Sequence, residues 1–471
     1  MDKLIKMAWR NIWRNKRRTL ITIASIFFAV FFAVIMRAFQ LGTYEHMIHQ
    51  AIESFTGYIQ IQDKEFFDDP SLDNSFKYGG ELANIVENNK EIKVAVPRVA
   101  SFSLASTGMQ SKGVLVTGID PLREKELSNP EIRIVKYRLT IEAIEKIMAE
   151  TKLPKKQLEL LKIHEKGSFS SWAGLALGLS LSGSLEDELK PIITKHTKFE
   201  GQYLKVDDDG VLVSDRLSKY LMAEVGDTIT LLGLGYHGVT AAGIFPVRGI
   251  VKIPSPDLDN KLVYMTLSKS QQFFDLGNRI TSLNINLYDP DEMMEVQSEL
   301  LASINSDKYT VKNWEEFNPT MKQQIEGDSV GGVIFIGILY FIVLFGIFGT
   351  VLMMVAERKR EFGVMVAIGM KKAKLVVILF IEMIFLGFIG MATGLGAAAP
   401  LIVLGNKNPI RMTGEMAKMY EDMGFDPVMP LAWFDNYFVW QGVIIMIMVI
   451  LACIFPLEGV RKMKVMNALK A

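Results

Sequence analysis

Four apolar runs punctuate the chain, at about Leu20–Phe39, Gly332–Ala356, Leu375–Leu404 and Phe438–Leu457. Each reaches the roughly 20 residues a helix needs to cross a bilayer, and buried helices of soluble proteins rarely run uncharged that far. The pattern predicts four transmembrane helices. Ahead of the first run, Leu4, Ala8 and Ile12 recur at four-residue spacing, as do Ile5, Trp9 and Trp13, while Lys and Arg fill the other face. That describes an amphipathic helix lying in the membrane interface, its tryptophans at headgroup depth.

The long segment between the first two runs has a shorter rhythm. Tyr58–Gln62, Lys93–Val96, Phe102–Ala105, Gly113–Thr117, Thr228–Leu232, Gly243–Ile253, Leu262–Thr266 and Ser282–Leu287 alternate like strands. Gln40–Phe55, Lys269–Phe274 and Glu292–Ile304 have helical spacing, and Gly210–Leu221 reads as strand, turn, helix. The mixture is not strictly alternating, which predicts an α+β domain. Residues 122–200 stand apart. Arg138–Glu150, Lys155–Lys166 and Leu185–Lys195 are charged and helical in spacing, so this stretch is expected to be a helical insertion.

Basic residues set the orientation. Lys3, Lys6, Arg10, Arg14, Lys16, Arg17 and Arg18 precede the first run; Arg358, Lys359, Arg360, Lys371, Lys372 and Lys374 separate the second from the third; Arg461, Lys462, Lys464 and Lys470 follow the fourth. With four spans these clusters fall on one side, the cytoplasmic one by the positive-inside rule. Arg37 dissents at the other end and can snorkel. The first run is longer than a signal-peptide core and no small-x-small site follows it, so an uncleaved anchor is expected. The expected order is an amphipathic helix (1–18), a span (19–40), an extracytoplasmic domain with stalk helices (41–329), a span (330–356), a cytoplasmic segment (357–374), a span (375–404), an extracytoplasmic loop (405–437), a span (438–457) and a cytoplasmic tail (458–471).

Composition agrees: 49% of residues are hydrophobic and 22% charged, and mean hydropathy is +0.22. Lys+Arg and Asp+Glu are both 52, which argues against a nucleic-acid binder. The single cysteine, Cys453, permits no intrachain disulfide and no thiolate cluster. No GxxxxGK[ST], HExxH or GxSxG motif occurs. His46 and His49 make a weak metal pair, Asp207, Asp208 and Asp209 lack EF-hand spacing, and Gly174–Gly183 lacks the ending of a phosphate loop. No catalytic residue, metal site or cofactor is predicted, and the chain is expected not to be an enzyme. Glu382, inside the third run, has two readings: a proton relay, or a carboxylate near the boundary bonded to a neighbouring helix.

The clearest local signal is Ala356–Val376, AERKREFGVMVAIGMKKAKLV. A span ends in a charged turn, a short amphipathic helix follows, and Gly369 breaks it. This stretch resembles the coupling segment of FtsX-like ABC permeases, the type VII or MacB-like transporters: Glu357, Arg358, Glu361, Gly363, Ala367 and Gly369 match the pattern E-R-x-x-E-[IF]-G-x-x-x-A-[IL]-G. Ala8–Leu20, Thr56–Asp63, Gly118–Pro121, Gly210–Leu232 and Pro254–Asp275, with Asp259 as its motif aspartate, resemble elements of the lipoprotein-releasing (LolC/LolE-like) branch. The third span resembles the family's glycine-rich one. Residues 122–200 depart from the pattern, and the 405–437 loop is long for it.

The resemblance implies a MacB-like periplasmic core domain and a permease that acts as a mechanical transmitter in the bacterial inner membrane. It implies a separate cytoplasmic ATPase (LolD-like or a MacB-type nucleotide-binding domain) that holds ATP and Mg, and a second permease subunit, identical or not. The expected cargo is a lipoprotein; export of peptides, toxins or drugs from the periplasm, and a non-transport receptor, are the alternatives. Glu357, Arg358, Glu361, Phe362, Gly363, Ala367 and Gly369 are expected to meet the ATPase. Phe32, Ile35 and Phe39 are expected to meet acyl chains or membrane lipid, and Gly387, Gly390, Gly394 and Gly396 to allow close helix packing.

Overall fold

The computed structural model describes residues 2–14, 16–412, 414–422 and 427–463. Lys464 and Lys470 lie outside them. The chain forms two units, one from Met1–His46, Gln323–Ile410 and Met429–Ala471, the other from Met47–Lys322 and Arg411–Val428.

Six helices build the first unit: α1 (Asp2–Arg14), α2 (Lys16–Ala51), α3 (Pro319–Glu357), α4 (Lys359–Ala367), α5 (Lys372–Lys407) and α6 (Asn436–Lys462). Four of them, α2, α3, α5 and α6, are long and apolar enough to cross a membrane. Helices α2 and α3 each extend well beyond the apolar run that identified them, so span and stalk are one continuous helix in both cases. The core of this unit is formed by Ile26, Val30 and Val34 of α2 with Leu379, Met383 and Leu386 of α5 and Ile445, Val449 and Ala452 of α6.

The second unit is organised by one long strand. Its strands are β1 (Ile59–Asp63), β2 (Ile92–Ser106), β3 (Ser111–Ile119), β4 (Val211–Ser214), β5 (Thr228–Leu234), β6 (Thr240–Val251), β7 (Leu262–Thr266), β8 (Ser282–Leu287) and β9 (Tyr309–Asn313). They follow the order β9-β1-β8-β2-β3-β7-β4-β6-β5, and β5 pairs back onto β2. The last six strands therefore close on themselves, a barrel filled by Val99, Val116, Val213, Ile229, Leu231, Phe245 and Val263. Two short strands were expected within 93–105. The structure has one, because β2 changes partner midway: Ile92–Arg98 pair with β8, and Ser103–Ser106 pair with β5. Pro97 sits in the first half, opposite Leu283.

The stalk α2 enters this domain through a π-helical turn, Ile52–Thr56, and Gly57. Gly57 has φ +72, and a Cβ there would lie 2.8 Å from the Ile285 carbonyl oxygen. Arg98 holds the turn. Its guanidinium donates to the Phe55 carbonyl and lies 5.0 Å from that ring's centroid, and it is fully desolvated against Glu124, with Nε to Oε2 at 3.1 Å. The strand leaving α2 and the strand leading to α3 are antiparallel neighbours, Ile59 facing Asn313.

Residues 122–200 are mainly helical and carry their own core of Leu139, Ile147, Leu161, Leu175, Leu189 and Ile193. Glycines 174 and 178 lie in a helix, Trp172–Gly178, rather than in a phosphate loop. The helix Glu415–Asp422 of the loop between α5 and α6 belongs to this second unit, and Lys418 Nζ donates to the Ile163 carbonyl at 2.5 Å. The two stretches that depart from the family pattern thus touch each other.

A pair of buried aspartates joins insertion to barrel. Asp215 accepts from Arg138 (3.1 Å) and Ser168 (2.7 Å) of the insertion and from Lys219 (2.5 Å). Burial pushes its carboxyl up, but Lys219, Ser168 and Arg138 outweigh that and hold it below the usual range. Asp259 accepts the backbone N–H groups of Asp215, Arg216 and Ile253 at 3.0–3.3 Å, so it caps the helix Asp215–Leu221 from a distance. Burial, with the charge of Asp215 added, pushes the Asp259 carboxyl up to about 6 against its backbone donors.

An acid whose folded value is raised binds its proton more tightly folded than unfolded. Its contribution to stability is present at low pH and declines as pH rises from about 4 to about 6. Asp259→Asn should flatten that part of the stability–pH profile, a difference of order 2 kcal/mol across the window, measured by chemical denaturation of the purified chain at stepped pH. An unchanged slope would remove Asp259 as its source.

Candidate coupling surface and apolar cavity

The segment between α3 and α5 is short because a single residue, Arg358, separates α3 from α4. Gly369 ends α4 with φ +108. Its N–H donates to the Val366 carbonyl and that of Met370 to the Met365 carbonyl, both at 3.0 Å, the paired bonds of a Schellman cap. Glycine suits this position because other residues rarely adopt that φ.

Helix α4 has two sides. Phe362 and Gly363 are buried. Val364, Ala367 and Ile368 are exposed, Ile368 at 82%, together with Glu357, Arg360 and Gly369. Of the seven residues expected to meet an ATPase, Glu357, Glu361, Ala367 and Gly369 are exposed. Arg358, Phe362 and Gly363 face inward, where they hold the helix rather than offer it. Val364 and Ile368 complete the exposed apolar edge; the amphipathic pattern marks both positions as apolar without saying which face each takes.

Arg358 and Glu382 form an ion pair, Nη1 to Oε2 at 2.8 Å, with side chains only 6% and 2% exposed. Asn11 of α1 donates to the other Glu382 oxygen at 2.6 Å. Arg358 Nε reaches Glu361 Oε2 at 3.3 Å, and Arg14 of α1 pairs with the same carboxylate. Partial burial pushes the Glu361 carboxyl up, but Arg14 and then Arg358 outweigh it, so it sits below the usual range. Glu382 is thus bonded to neighbouring helices, the bonding that the second of the two readings expects. Helix α1 packs Ala8 and Ile12 inward, and Trp9 meets Phe385 edge-on at 5.5 Å, while Trp9 and Trp13 stay half exposed.

Along α5 the glycines separate into two groups. A Cβ on Gly390 would lie 2.7 Å from Ile26 Cβ, one on Gly394 would lie 2.9 Å from Val30 Cβ, and one on Gly387 would lie 2.9 Å from Met446 Sδ. These three let α2 and α6 approach. Gly396 does not: no atom lies within 4 Å of its Cβ position. It stands four residues before Pro400, so its carbonyl is the one that Pro400 leaves without a helical donor.

Phe32, Ile35 and Phe39 come together on one wall of an apolar cavity of about 740 Å³, which Phe335 and Leu339 of α3 and Leu401, Leu404 and Gly405 of α5 complete. The α3 and α5 contributions were not legible, because nothing in an apolar run says which residue faces which helix.

Residues 333–465 match the family described as FtsX-like permease C-terminal. The lipoprotein-releasing system transmembrane protein LolC of Neisseria meningitidis serogroup B is 22% identical over 231 residues, 47% of this chain and 55% of that protein. The chain thus matches little more than half the length of that relative. Among solved structures, the periplasmic region of MacB from Actinobacillus actinomycetemcomitans aligns with 60% of this chain and 98% of its own at 14% identity and a TM-score of 0.31. The extracellular domain of the noncanonical ABC-type transporter YknZ from Gram-positive bacteria aligns with 55% and 100% at 11% identity and a TM-score of 0.27.

Gly390→Leu should force α2 from α5 and cost about 1–3 kcal/mol or more, while Gly396→Leu should be near neutral. Thermal unfolding of both variants in detergent checks this; equal losses would remove the distinction. Over residues 333–465, the chain is thus similar to the FtsX-like permeases.

Proposed function

We propose that this chain is the permease subunit of an ABC transporter, driven by a separate ATPase that docks on the α4 edge. The observation that carries the reading is that edge: Val364, Ala367 and Ile368 lie exposed beside Arg360, on a short helix between two spans, inside the FtsX-like match. An apolar strip rimmed by charge is the ordinary composition of a protein interface. By the positive-inside rule the basic residues around it support a cytoplasmic side for this end of the spans, and we propose the inner membrane as its location.

The cargo we propose is a lipoprotein, its acyl chains in the cavity of Phe32, Ile35 and Phe39. The cavity is almost wholly apolar, and the Neisseria relative is named for lipoprotein release. Motion of α2 and α3 would reach the α+β domain through β1 and β9, which follow and precede those helices and pair directly. A second permease subunit fits α3. Only 11% of its most apolar window is buried, against 39% to 44% for the other three spans, and Phe335, Phe341, Ile342 and Phe345 are exposed.

Val364→Asp with Ile368→Arg should cut co-purification of the neighbouring ATPase at least tenfold, without changing the thermal unfolding of the permease. Full retention of the ATPase would remove the docking assignment. A lipoprotein carrying a photo-cross-linker on its acyl chain should label the cavity wall, and Phe39→Asp should abolish that labelling. Labelling that survives would move the cargo site elsewhere.

A further inference from the structure

A push on the α4 edge is transmitted only if α4 cannot swing on its own. This inference rests on the docking reading above. The single residue between α3 and α4 has φ −97 and ψ 8, outside the helical run, so the backbone itself supplies a hinge. We propose that Arg358 is a positioning residue that locks this hinge. With Glu382 as its buried counter-charge it fastens α4 to the start of α5, and Asn11 extends the fastening to α1.

The chemistry suits that task. The guanidinium is a planar fork, and here it serves two carboxylates on two helices, Glu382 at 2.8 Å and Glu361 at 3.3 Å, while lying 5.2 Å from the Phe362 ring centroid. A lysine would offer one point charge and no fork. Groups around the pair come from α1, with Asn11 and Arg14, and from α4, with Glu361 and Phe362. Lys372, the nearby cation on α5, is turned to the Met463 carbonyl at 2.7 Å. Stability alone does not call for the pair, since apolar residues of like volume often replace a buried ion pair without loss. What an apolar pair lacks is direction. Methionine and leucine would fill the space and leave α4 free to rotate about its own axis; the fork fixes one rotation.

The test measures that freedom directly. The full chain, with Cys453→Ala to remove its one native thiol, carries spin labels at Arg360→Cys on α4 and Thr393→Cys on α5, both exposed positions. It is reconstituted in lipid nanodiscs with and without the ATPase, and the distance distribution is read by pulsed electron resonance. The fastened form should give one narrow distribution. Arg358→Met with Glu382→Leu, which leaves no unpaired buried charge, should fold and bind the ATPase within threefold of the parent yet broaden the distribution at least twofold. Arg358→Lys should fall between.

A double variant as narrow as the parent overturns the proposal. So does equal broadening by Met383→Ala, which loosens packing beside Glu382 and leaves the pair in place. If the double variant broadens but no ATPase co-purifies with any form, the lock stands and the docking reading falls.

Discussion

The membrane unit depends on one desolvated contact, the ion pair of Arg358 and Glu382. Two charges removed from water are costly, and leaving either without the other costs more, about 3–5 kcal/mol. The surroundings are arranged so that neither is left. Asn11 donates to the second oxygen of Glu382, Glu361 takes the second edge of Arg358, and Arg14 balances Glu361. These groups come from α1, α4 and α5, so the pair lies where the three helices meet. Helix α1 is therefore part of the fold and more than an interfacial anchor: Ala8 and Ile12 are buried, while Trp9 and Trp13 remain half exposed to the surroundings.

The α+β domain has a comparable dependence on β2. A strand that pairs with β8 at one end and β5 at the other must be long, and its residues must face a sheet core first and a barrel core later. Arg98 lies where the two meet. It closes the stalk turn by donating to the Phe55 carbonyl, the unsatisfied acceptor at a helix end. Displacement of the stalk end would thus be felt at the strand shared by both halves of the domain.

How much of this was legible varies with the range of the interaction. The four spans were plain, because length and apolarity are local. Most strands were found within a residue or two, since alternation is local too. The edges of helices and the continuity of β2 were not, because the partners of its two halves, such as Leu283 for Pro97 and Gly233 for Ser103, are far away in sequence. The residues proposed for coupling were picked out by resemblance, but resemblance gives positions without faces. Seven residues were assigned to one surface, and the fold turns three of them inward. Gly396 was grouped with Gly387, Gly390 and Gly394 on composition, although its setting is fixed by Pro400 instead. Glu382 was noticed for its cost, and its partners became visible only in three dimensions.

Helix α5 ties these observations together. Near its start Glu382 holds Arg358; one to three turns on, Gly387, Gly390 and Gly394 let Met446, Ile26 and Val30 approach; near its end Leu401, Leu404 and Gly405 line the cavity. A helix of 36 residues is about 54 Å long, and its ladder of backbone bonds runs unbroken by proline up to Pro400. Small residues in its middle bring α2 into close contact, where sliding would drive Ile26 and Val30 into the helix backbone. That contact joins α5 to α2, whose Phe32, Ile35 and Phe39 form the facing cavity wall. The cavity and the α4 edge lie towards opposite ends of one helix, which packs closely against α2 along its middle.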